Sequence, residues 1–388
     1  VIRGAAFDLD GVATLLRRRL FGVGVNPVIA LGDSRPVAIE LHDTTPERQL
    51  DVGRIMTVLR TIRLELGVID VPLIFELPLE RLADLPPADG LSRRALVVAV
   101  DADAVLVRPA TALRAIADVR DRGWEVGLAG VGRTPRSLPA VTVVEPGVIM
   151  LDAGLLAPGP GAELLIETLT MITAVTQANG AAVLATGVDT PERRSTAVRI
   201  GATLAVGGAA RPTMAPLPAD LDSSIGLFVP PPRLDPGVGI YELAARRHDH
   251  RLSTKPMLVD LSRHLEHTAM TSGATTMVLA AFQHARNVGR TTAARFARLR
   301  QNDVQTVMAA RGLREAPSEL VIGIERGDTL IDEWILLVLG PAGTALLAAR
   351  DRKNLVLRDR DRAFDWVLSY DRDLAAHAAR SLLLRSAA

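Results

Sequence analysis

The sequence predicts an α/β protein: a closed (β/α)8 barrel of the TIM type followed by a smaller α/β domain. Three observations carry that prediction. About eight short apolar runs fall within roughly 190 residues, most of them separated by stretches of helical periodicity. Residues 209–237 then break the pattern with Pro212, Pro216, Pro218, Pro230, Pro231, Pro232 and Pro236, a density that no regular element tolerates. Beyond the break, strand and helix patterns resume over a shorter span. The expected organisation is a barrel over 1–218, a proline-rich linker over 219–237 and a second domain over 238–388. No dinucleotide-binding fingerprint accompanies the alternation, which favours a closed barrel over an open doubly wound sheet.

Taken in order, residues 1–20 read as an amphipathic helix ending in Arg17, Arg18 and Arg19. Gly24–Leu31 and Pro36–His42 are apolar runs joined by Gly32-Asp33-Ser34, a hairpin signal. Over Asp51–Leu66 the residues Val52, Ile55, Met56, Leu59, Ile62 and Leu66 fall on one helical face. Val71–Leu77 and Leu96–Val100 read as strands, the second apolar throughout, as a strand buried on both faces should be. A helix over Ala112–Arg122 and strands at Val126–Ala129, Gly147–Leu151, Ala182–Ala185 and Leu204–Val206 complete the set, with helices at Ala162–Asn179 and Pro191–Ile200. In such barrels the chemistry sits at the carboxyl ends of the strands.

In the second domain, Thr254 is expected to cap a helix that runs to about Met270, with Pro256 in its first turn and Leu258, Leu261 and Leu265 inward. Strands are expected at Thr276–Phe282, Thr306–Ala309 and Leu320–Ile324, with a helix at Thr291–Arg300. Trp334–Leu339 and Thr344–Ala349 form a hairpin around Gly340-Pro341-Ala342-Gly343. Val367–Ser369 is a last strand and Asp373–Leu384 a last helix.

Composition excludes several function classes. The net charge is +1, so no overall field draws the chain to nucleic acid or to an anionic membrane. There is no cysteine, which removes disulfides, thiolate zinc sites and cysteine nucleophiles together and fits a cytoplasmic protein. The start carries Arg3, Asp8 and Asp10 and has no signal-peptide core, and no apolar run is long enough to span a bilayer. Residue 1 is Val rather than Met, which leaves the native start open. The only lysines are Lys255 and Lys353, so no lysine chemistry exists in the predicted barrel.

Four constellations were weighed against their structural readings. Gly127–Thr134 (GLAGVGRT) resembles a phosphate-binding P-loop with Arg133 in place of the lysine. Pro135 and Pro139 disfavour the long helix that such a loop must open, and no acidic strand end stands as its magnesium partner. Phe7–Gly11 (FDLDG) resembles the nucleophile motif of haloacid-dehalogenase-type phosphatases, and Leu31–Ser34 their later acidic motif. The two lie too close for the intervening sheet, and the lysine is missing, so an acidic helix N-terminus is the better reading. His248, His250, His264, His267 and His284 lack acidic or cysteine partners at ligand spacing and read as solvated or core histidines. Arg286, Arg290, Arg295, Arg298 and Arg300 read as the solvated face of a helix whose apolar face holds Phe296 and Leu299.

Over about residues 20–218 the chain resembles the EAL family of cyclic-di-GMP phosphodiesterases. Asn26–Leu31 looks like that family's first strand and Pro36–Leu41 like the strand bearing its name motif. Phe75–Leu79, Leu96–Ala102, Gly123–Leu138, Met150–Asp152, Ala185–Thr190 and Gly201–Pro212 resemble its later segments, in the family's order. The resemblance implies a pair of divalent cations held by carboxylates and an amide, a lysine, and an arginine after the name motif that meets the dinucleotide. Carried over, Glu40 keeps the first metal carboxylate. Thr44 stands at the arginine position, Glu76 at the asparagine ligand and Ala99 at the next glutamate. Ala129 and Gly130 replace paired aspartates and Met150 the lysine. Thr186 replaces a glutamate, Asp189 conserves a second one as an acid, and Val206 replaces a glutamine. Glu40, Glu76, Asp152 and Asp189 therefore remain as a residual site, with the two-metal Mg/Mn centre expected to be lost.

Residues 238–370 resemble the DICT sensory domain, on Ser253–Leu258, Leu261–Glu266, the strand end Ala281-Phe282-Gln283 and Asp365–Leu374. Together the resemblances imply a cytoplasmic bacterial signalling protein without catalysis, acting as sensor or adaptor through a protein partner, with self-association through the barrel. The alternatives they leave open are a receptor that binds cyclic-di-GMP without hydrolysing it, an active cyclic-di-GMP phosphodiesterase, and an unrelated hydrolase using the barrel mouth.

Overall fold

The structure is a computed structural model. It describes residues 23–44, 51–66, 72–88, 96–157, 162–210, 237–313, 320–341, 343–354 and 358–385. The expected N-terminal helix, the Phe7–Gly11 motif and nearly all of the proline-rich linker lie outside the described residues. The chain forms two compact units, one holding a closed barrel and the other a mixed sheet.

The barrel strands follow one another in chain order: β1 (Val23–Ala30), β2 (Pro36–Asp43), β3 (Leu73–Glu76), β4 (Leu96–Asp101), β5 (Glu125–Val131), β6 (Val148–Leu151), β7 (Ala182–Ala185) and β8 (Leu204–Ala205). β2 to β8 run parallel. β1 is antiparallel to both β2 and β8. The reversal has a local cause: a parallel crossover needs a dozen or more residues, and only the tight turn from Leu31 to Arg35 joins β1 to β2. Ser34 takes φ 59° there, and the Arg35 N–H bonds the Asp33 side chain at 3.0 Å.

Helices α1 (Val52–Leu66), α2 (Ala102–Val107), α3 (Pro109–Asp121), α4 (Leu138–Val144), α5 (Ala162–Asn179) and α6 (Pro191–Arg199) fill the connections. Helical structure after β4 starts a full turn or more earlier than the periodicity of 112–122 predicts, because Pro109 opens α3 and α2 precedes it. The α6 N-terminus is capped by Thr190, whose Oγ1 accepts the Arg193 N–H at 3.3 Å. Inside the barrel, Val28, Ile74, Val97, Ala99, Ala129, Val148, Met150, Leu184 and Val206 belong to one apolar cluster.

The second unit holds α7 (Ile240–Ala245), β9 (Arg251–Thr254), α8 (Lys255–Ser272), β10 (Met277–His284), α9 (Arg290–Gln301), β11 (Gln305–Arg311), β12 (Leu320–Gly323), β13 (Glu333–Gly340), β14 (Gly343–Asp351), β15 (Ala363–Ser369) and α10 (Arg372–Leu383). The sheet order is β12-β11-β10-β13-β14-β15-β9. β10, β11 and β12 are parallel, and the remaining neighbours are antiparallel. Leu258 and Leu265 of α8 and Phe296 and Leu299 of α9 pack with Leu336, Leu347, Phe364 and Trp366 on one face. α7 and α10 also pack on β13 and β14. The alternate residues Ile335, Leu337 and Leu339 are buried as well, so both faces of β13 are covered, which is why its sequence is an unbroken apolar run.

Thr254 occupies the N-cap of α8 with Pro256 in the first turn, but its side chain makes no capping bond, contrary to the expectation from sequence. Among the described residues no helix is long and apolar enough to cross a membrane.

Candidate functional site

The carboxyl ends of β2 to β6 bring four acids and one arginine together. Glu40, on β2, lies opposite Asn26 of β1, whose Nδ2 donates to Glu40 Oε2 at 2.9 Å. Asn26 Nδ2 also lies 3.3 Å from His42 Nδ1. The His42 ring occupies the space a side chain at residue 24 would need, so Gly24 admits it. Glu76 ends β3 and Asp101 ends β4, while Asp152 directly follows β6.

Arg133 sits in the turn after β5 and joins two of these acids. Its Nη1 donates to Asp101 Oδ2 at 2.6 Å and its Nε to Asp152 Oδ2 at 3.0 Å. Each aspartate uses its other oxygen on the backbone that follows it. Asp101 Oδ1 accepts the Ala104 N–H at 2.9 Å, and Asp152 Oδ1 accepts the Gly154 N–H at 2.8 Å. The guanidinium is thus held from two strands by acids that are themselves anchored. Partial burial works against its charge, but the hydrogen bonds to Asp152 and Asp101 outweigh that and raise its pKa. Much of Glu76 stays accessible, yet its carboxyl is pushed above the usual range. Crowding by protein atoms is the main cause, Asp101 and Glu40 add to it, and Arg133 opposes it.

Gly130 explains how the guanidinium fits. It takes φ 71°, and a Cβ built on it would lie 2.7 Å from Arg133 Nη2. The space over residue 130, where the resemblance implies an aspartate, is filled by the arginine. The other positions where the resemblance implies polar or charged side chains lie in the core: Ala99, Ala129, Met150 and Val206 all belong to the apolar interior cluster. Thr186 donates its hydroxyl to the Leu151 carbonyl at 2.7 Å.

Of the four acids singled out from sequence, Glu40, Glu76 and Asp152 lie at the strand ends with Asp101 and Arg133. Asp189 is engaged elsewhere. Its Oδ1 accepts the Gly208 N–H at 2.8 Å and its Oδ2 lies 3.9 Å from Arg193 Nη1, so it secures the turn after β8. Sequence reasoning missed Asp101 and the role of Arg133. Asp101 carried a usable signal, as the acid that closes an apolar barrel strand.

These donors do not fit a pair of divalent cations. Asp101 and Asp152 are taken by Arg133 and Glu40 by Asn26, whereas hard cations need several free oxygen ligands each. Among the described residues no three His, Cys, Asp or Glu side chains are grouped to hold a metal ion. A groove of about 1070 Å³ has Arg133 and Asp152 on one wall and Leu155, Leu165 and Ile200 among its apolar lining. Glu40 and Glu76 do not line it.

The geometry at residue 130 has a direct test. Gly130→Ala is expected to lower the unfolding free energy by about 1–2 kcal/mol for the left-handed backbone and to displace the guanidinium as well. Gly180 has the same φ of 71° with nothing within 4 Å, so Gly180→Ala carries the backbone strain alone. Urea unfolding of the two variants should show the larger loss at residue 130.

Two members of the remaining constellations have structural partners. His248 Nε2 lies 2.9 Å from Ser369 Oγ. Arg295, in the basic run, donates through Nε at 2.6 Å to Glu266, which is buried, so this arginine is not a merely solvated one.

Comparison with known proteins adds two family matches. Residues 78–212 match the EAL domain. Residues 239–352 match DICT, described as a sensory domain in diguanylate cyclases and two-component systems. The first match begins after β3, so Glu40 and Glu76 lie outside it. No curated protein matches the chain. Among solved structures, the chain is similar to the EAL domain of Xanthomonas citri FimX in complex with c-diGMP, at 17% identity and TM-score 0.38, covering 56% of this chain and 97% of that one. It is similar to Klebsiella pneumoniae BlrP1 in a calcium/cy-diGMP complex, at 17% identity and TM-score 0.38, over 48% of this chain and 54% of that one. The EAL domain of Mycobacterium smegmatis DcpA is matched at 18% identity and TM-score 0.39, over 48% and 91%. The chain thus spans about half the length of BlrP1. At these values nothing about ligand or activity transfers to this chain.

Proposed function

We propose that this chain, in which an EAL domain is followed by a DICT sensory domain, is a signalling protein whose barrel performs no catalysis. It works as a sensor or regulatory adaptor through ligand or partner binding. The observation that carries this reading is Arg133. Its guanidinium, bonded to Asp101 and Asp152, puts a permanent side-chain cation at the strand ends. Such a cation neutralises the acids, but it has no open coordination position and cannot lower the pKa of a bound water as a divalent metal does. The apolar substitutions at Ala129 and Met150 point the same way, because each removes a charged group and adds to the barrel core.

The test is to incubate the full chain with cyclic-di-GMP and Mg²⁺ or Mn²⁺ and to separate the products by chromatography. No turnover is expected, and calorimetric titration with the same dinucleotide should stay silent to high micromolar concentration. Turnover that Glu40→Ala abolishes would overturn the reading. Tight binding without turnover would favour the receptor alternative.

A further inference from the structure

The mixed-sheet unit contains a cavity of about 250 Å³ at one end of its sheet. Phe282 and Gln283 near the end of β10, Trp334 at the start of β13 and Arg362 just before β15 meet there with the N-terminal halves of α8 and α9. β10 and β11 are parallel, and the space beyond the carboxyl ends of parallel strands is where open sheets take ligands.

The lining is rich in hydrogen-bond donors. Lys255, Arg263, Arg295 and Arg362 contribute to it, and among the described residues no acidic side chain does. Arg295 is committed to Glu266. Lys255 and Arg362 are both bonded to Asp359, and Arg362 also to Asp351, acids that stand outside the lining and hold the two cationic heads from behind. Arg263 pairs with Asp260 at 3.4 Å on its own helix, an exposed pair that holds it loosely.

Two further features mark a built site. Gln283 is only 4% exposed and takes φ 61°, a conformation that costs a non-glycine residue energy. Its Oε1 accepts from Asn287 and Arg362, at 3.4 and 3.3 Å, while its own amide N–H group has no partner among the described residues. Trp334 and Phe282 are each braced edge-on by a buried phenylalanine, Phe364 at 6.1 Å and Phe296 at 5.5 Å. The cavity therefore offers rigid flat walls beside cationic donors, of which Lys255 and Arg362 are anchored by Asp359.

We propose that this cavity binds a small organic anion, a single-ring carboxylate. Its acid group meets Arg362, Lys255 and Arg263, and its ring lies against Trp334 and Phe282. The volume falls below the ~300–1,000 Å³ of drug-sized ligand sites, which suits one ring and excludes a cyclic dinucleotide. The inference deepens the sensory role given to this half of the chain and does not depend on the state of the barrel.

Benzoate and 4-hydroxybenzoate are the probes, with benzamide as the neutral isostere. Full-length protein is titrated with each and followed by tryptophan fluorescence and calorimetry. At least one acid should saturate, about tenfold tighter than benzamide. Arg263→Gln should weaken the acid by about threefold to tenfold and leave benzamide unchanged. Trp334→Leu should weaken both. Arg263 is exposed, so its variant should keep the wild-type melting curve, which separates lost binding from lost folding. The proposal falls if neither acid saturates by about 10 mM, if benzamide binds equally well, or if Arg263→Gln changes nothing. Cyclic-di-GMP turnover is read independently, so failure here and failure of the non-catalytic barrel are distinguishable.

Discussion

Ala99→Glu is expected to lower the unfolding free energy by about 3–5 kcal/mol and to restore no turnover of cyclic-di-GMP. The substitution returns the acid that the EAL resemblance implies at this position. The side chain would have nowhere to put its charge. Ala99 is fully buried within the apolar cluster that holds Val97, Ala129 and Met150. The interior is already close there, since a Cβ on neighbouring Gly127 would lie 3.3 Å from the Ala99 Cβ. In the strand register Ala99 stands beside Glu76, whose carboxyl is already pushed up by its surroundings and by Asp101 and Glu40. The nearby cation, Arg133, is already bonded to Asp101 and Asp152. A new carboxylate would therefore be both desolvated and repelled. Ala99→Gln separates the causes, because it brings the same volume without the charge. The glutamate variant should lose more stability than the glutamine variant at pH 8 and converge with it at pH 5, where a buried acid holds its proton. Urea unfolding at the two pH values measures this. A glutamate variant as stable as the wild type would mean that the barrel mouth still accommodates a charged ligand, and the non-catalytic reading would lose its physical basis.

How much of this was readable in advance depends on whether a feature is local. The barrel strands announced themselves because each is a short apolar run, and β7 at Ala182–Ala185 sits where the pattern places it. β9 did not, because Arg251–Thr254 is largely exposed and polar and is a strand by virtue of pairing with β15. α7 was missed for a different reason: six residues give less than two turns of periodicity. The acids Glu40 and Glu76 were visible as charges at strand ends. The bridge from Arg133 to Asp101 and Asp152 was not, because it joins residues from the ends of β4, β5 and β6 and has no sequence period. Arg133 drew notice only as a misplaced P-loop lysine. Its place between the two aspartates depends on the room that Gly130 leaves for it. The cavity in the second unit is less legible still, since its aromatic walls come from Phe282 and Trp334, about fifty residues apart in sequence.

The side chains inside the barrel and at its strand ends leave little polar surface unsatisfied. A polar group buried without partners costs stability, and apolar side chains at the inward positions avoid that cost. Ala99, Ala129, Met150 and Val206 each bury apolar atoms in one continuous cluster. Asp101 and Asp152 are tolerated as acids because Arg133 neutralises them and backbone N–H groups satisfy their other oxygens.

The stability of the second unit should carry two opposing pH slopes that single substitutions separate. Glu333 is buried, with its carboxylate accepting the Tyr241 N–H at 3.1 Å and packed against Gly239, where a Cβ would lie 2.1 Å from Oε1. Burial outweighs the backbone bonds from Tyr241 and Ile240 and the charge of Arg385, with Asp328 adding to it, and pushes the pKa up to about 7. Between the ordinary value of 4.5 and 7, the folded protein keeps a proton that the unfolded chain has released. Glu333 therefore favours folding at low pH and loses that contribution as pH rises through this window, by about 3 kcal/mol in full. His377 acts the other way. Burial first, then Arg380 and Arg247, lowers its pKa from 6.5 to about 4. Between those values the unfolded chain binds a proton that the folded state refuses, so stability falls as pH drops. His377 is only partly buried, and solvent screening reduces its share. Urea midpoints from pH 4 to 8 should accordingly vary little in the wild type. Glu333→Gln should make stability climb with pH and should leave the protein at pH 8 at least as stable as the parent. His377→Gln should make stability fall steadily from pH 5 to pH 8. If Glu333→Gln instead destabilised the protein equally at every pH, the carboxyl would be charged in the folded state, and its contacts with Tyr241 and Gly239 would have to be reinterpreted as those of an anion at the helix start.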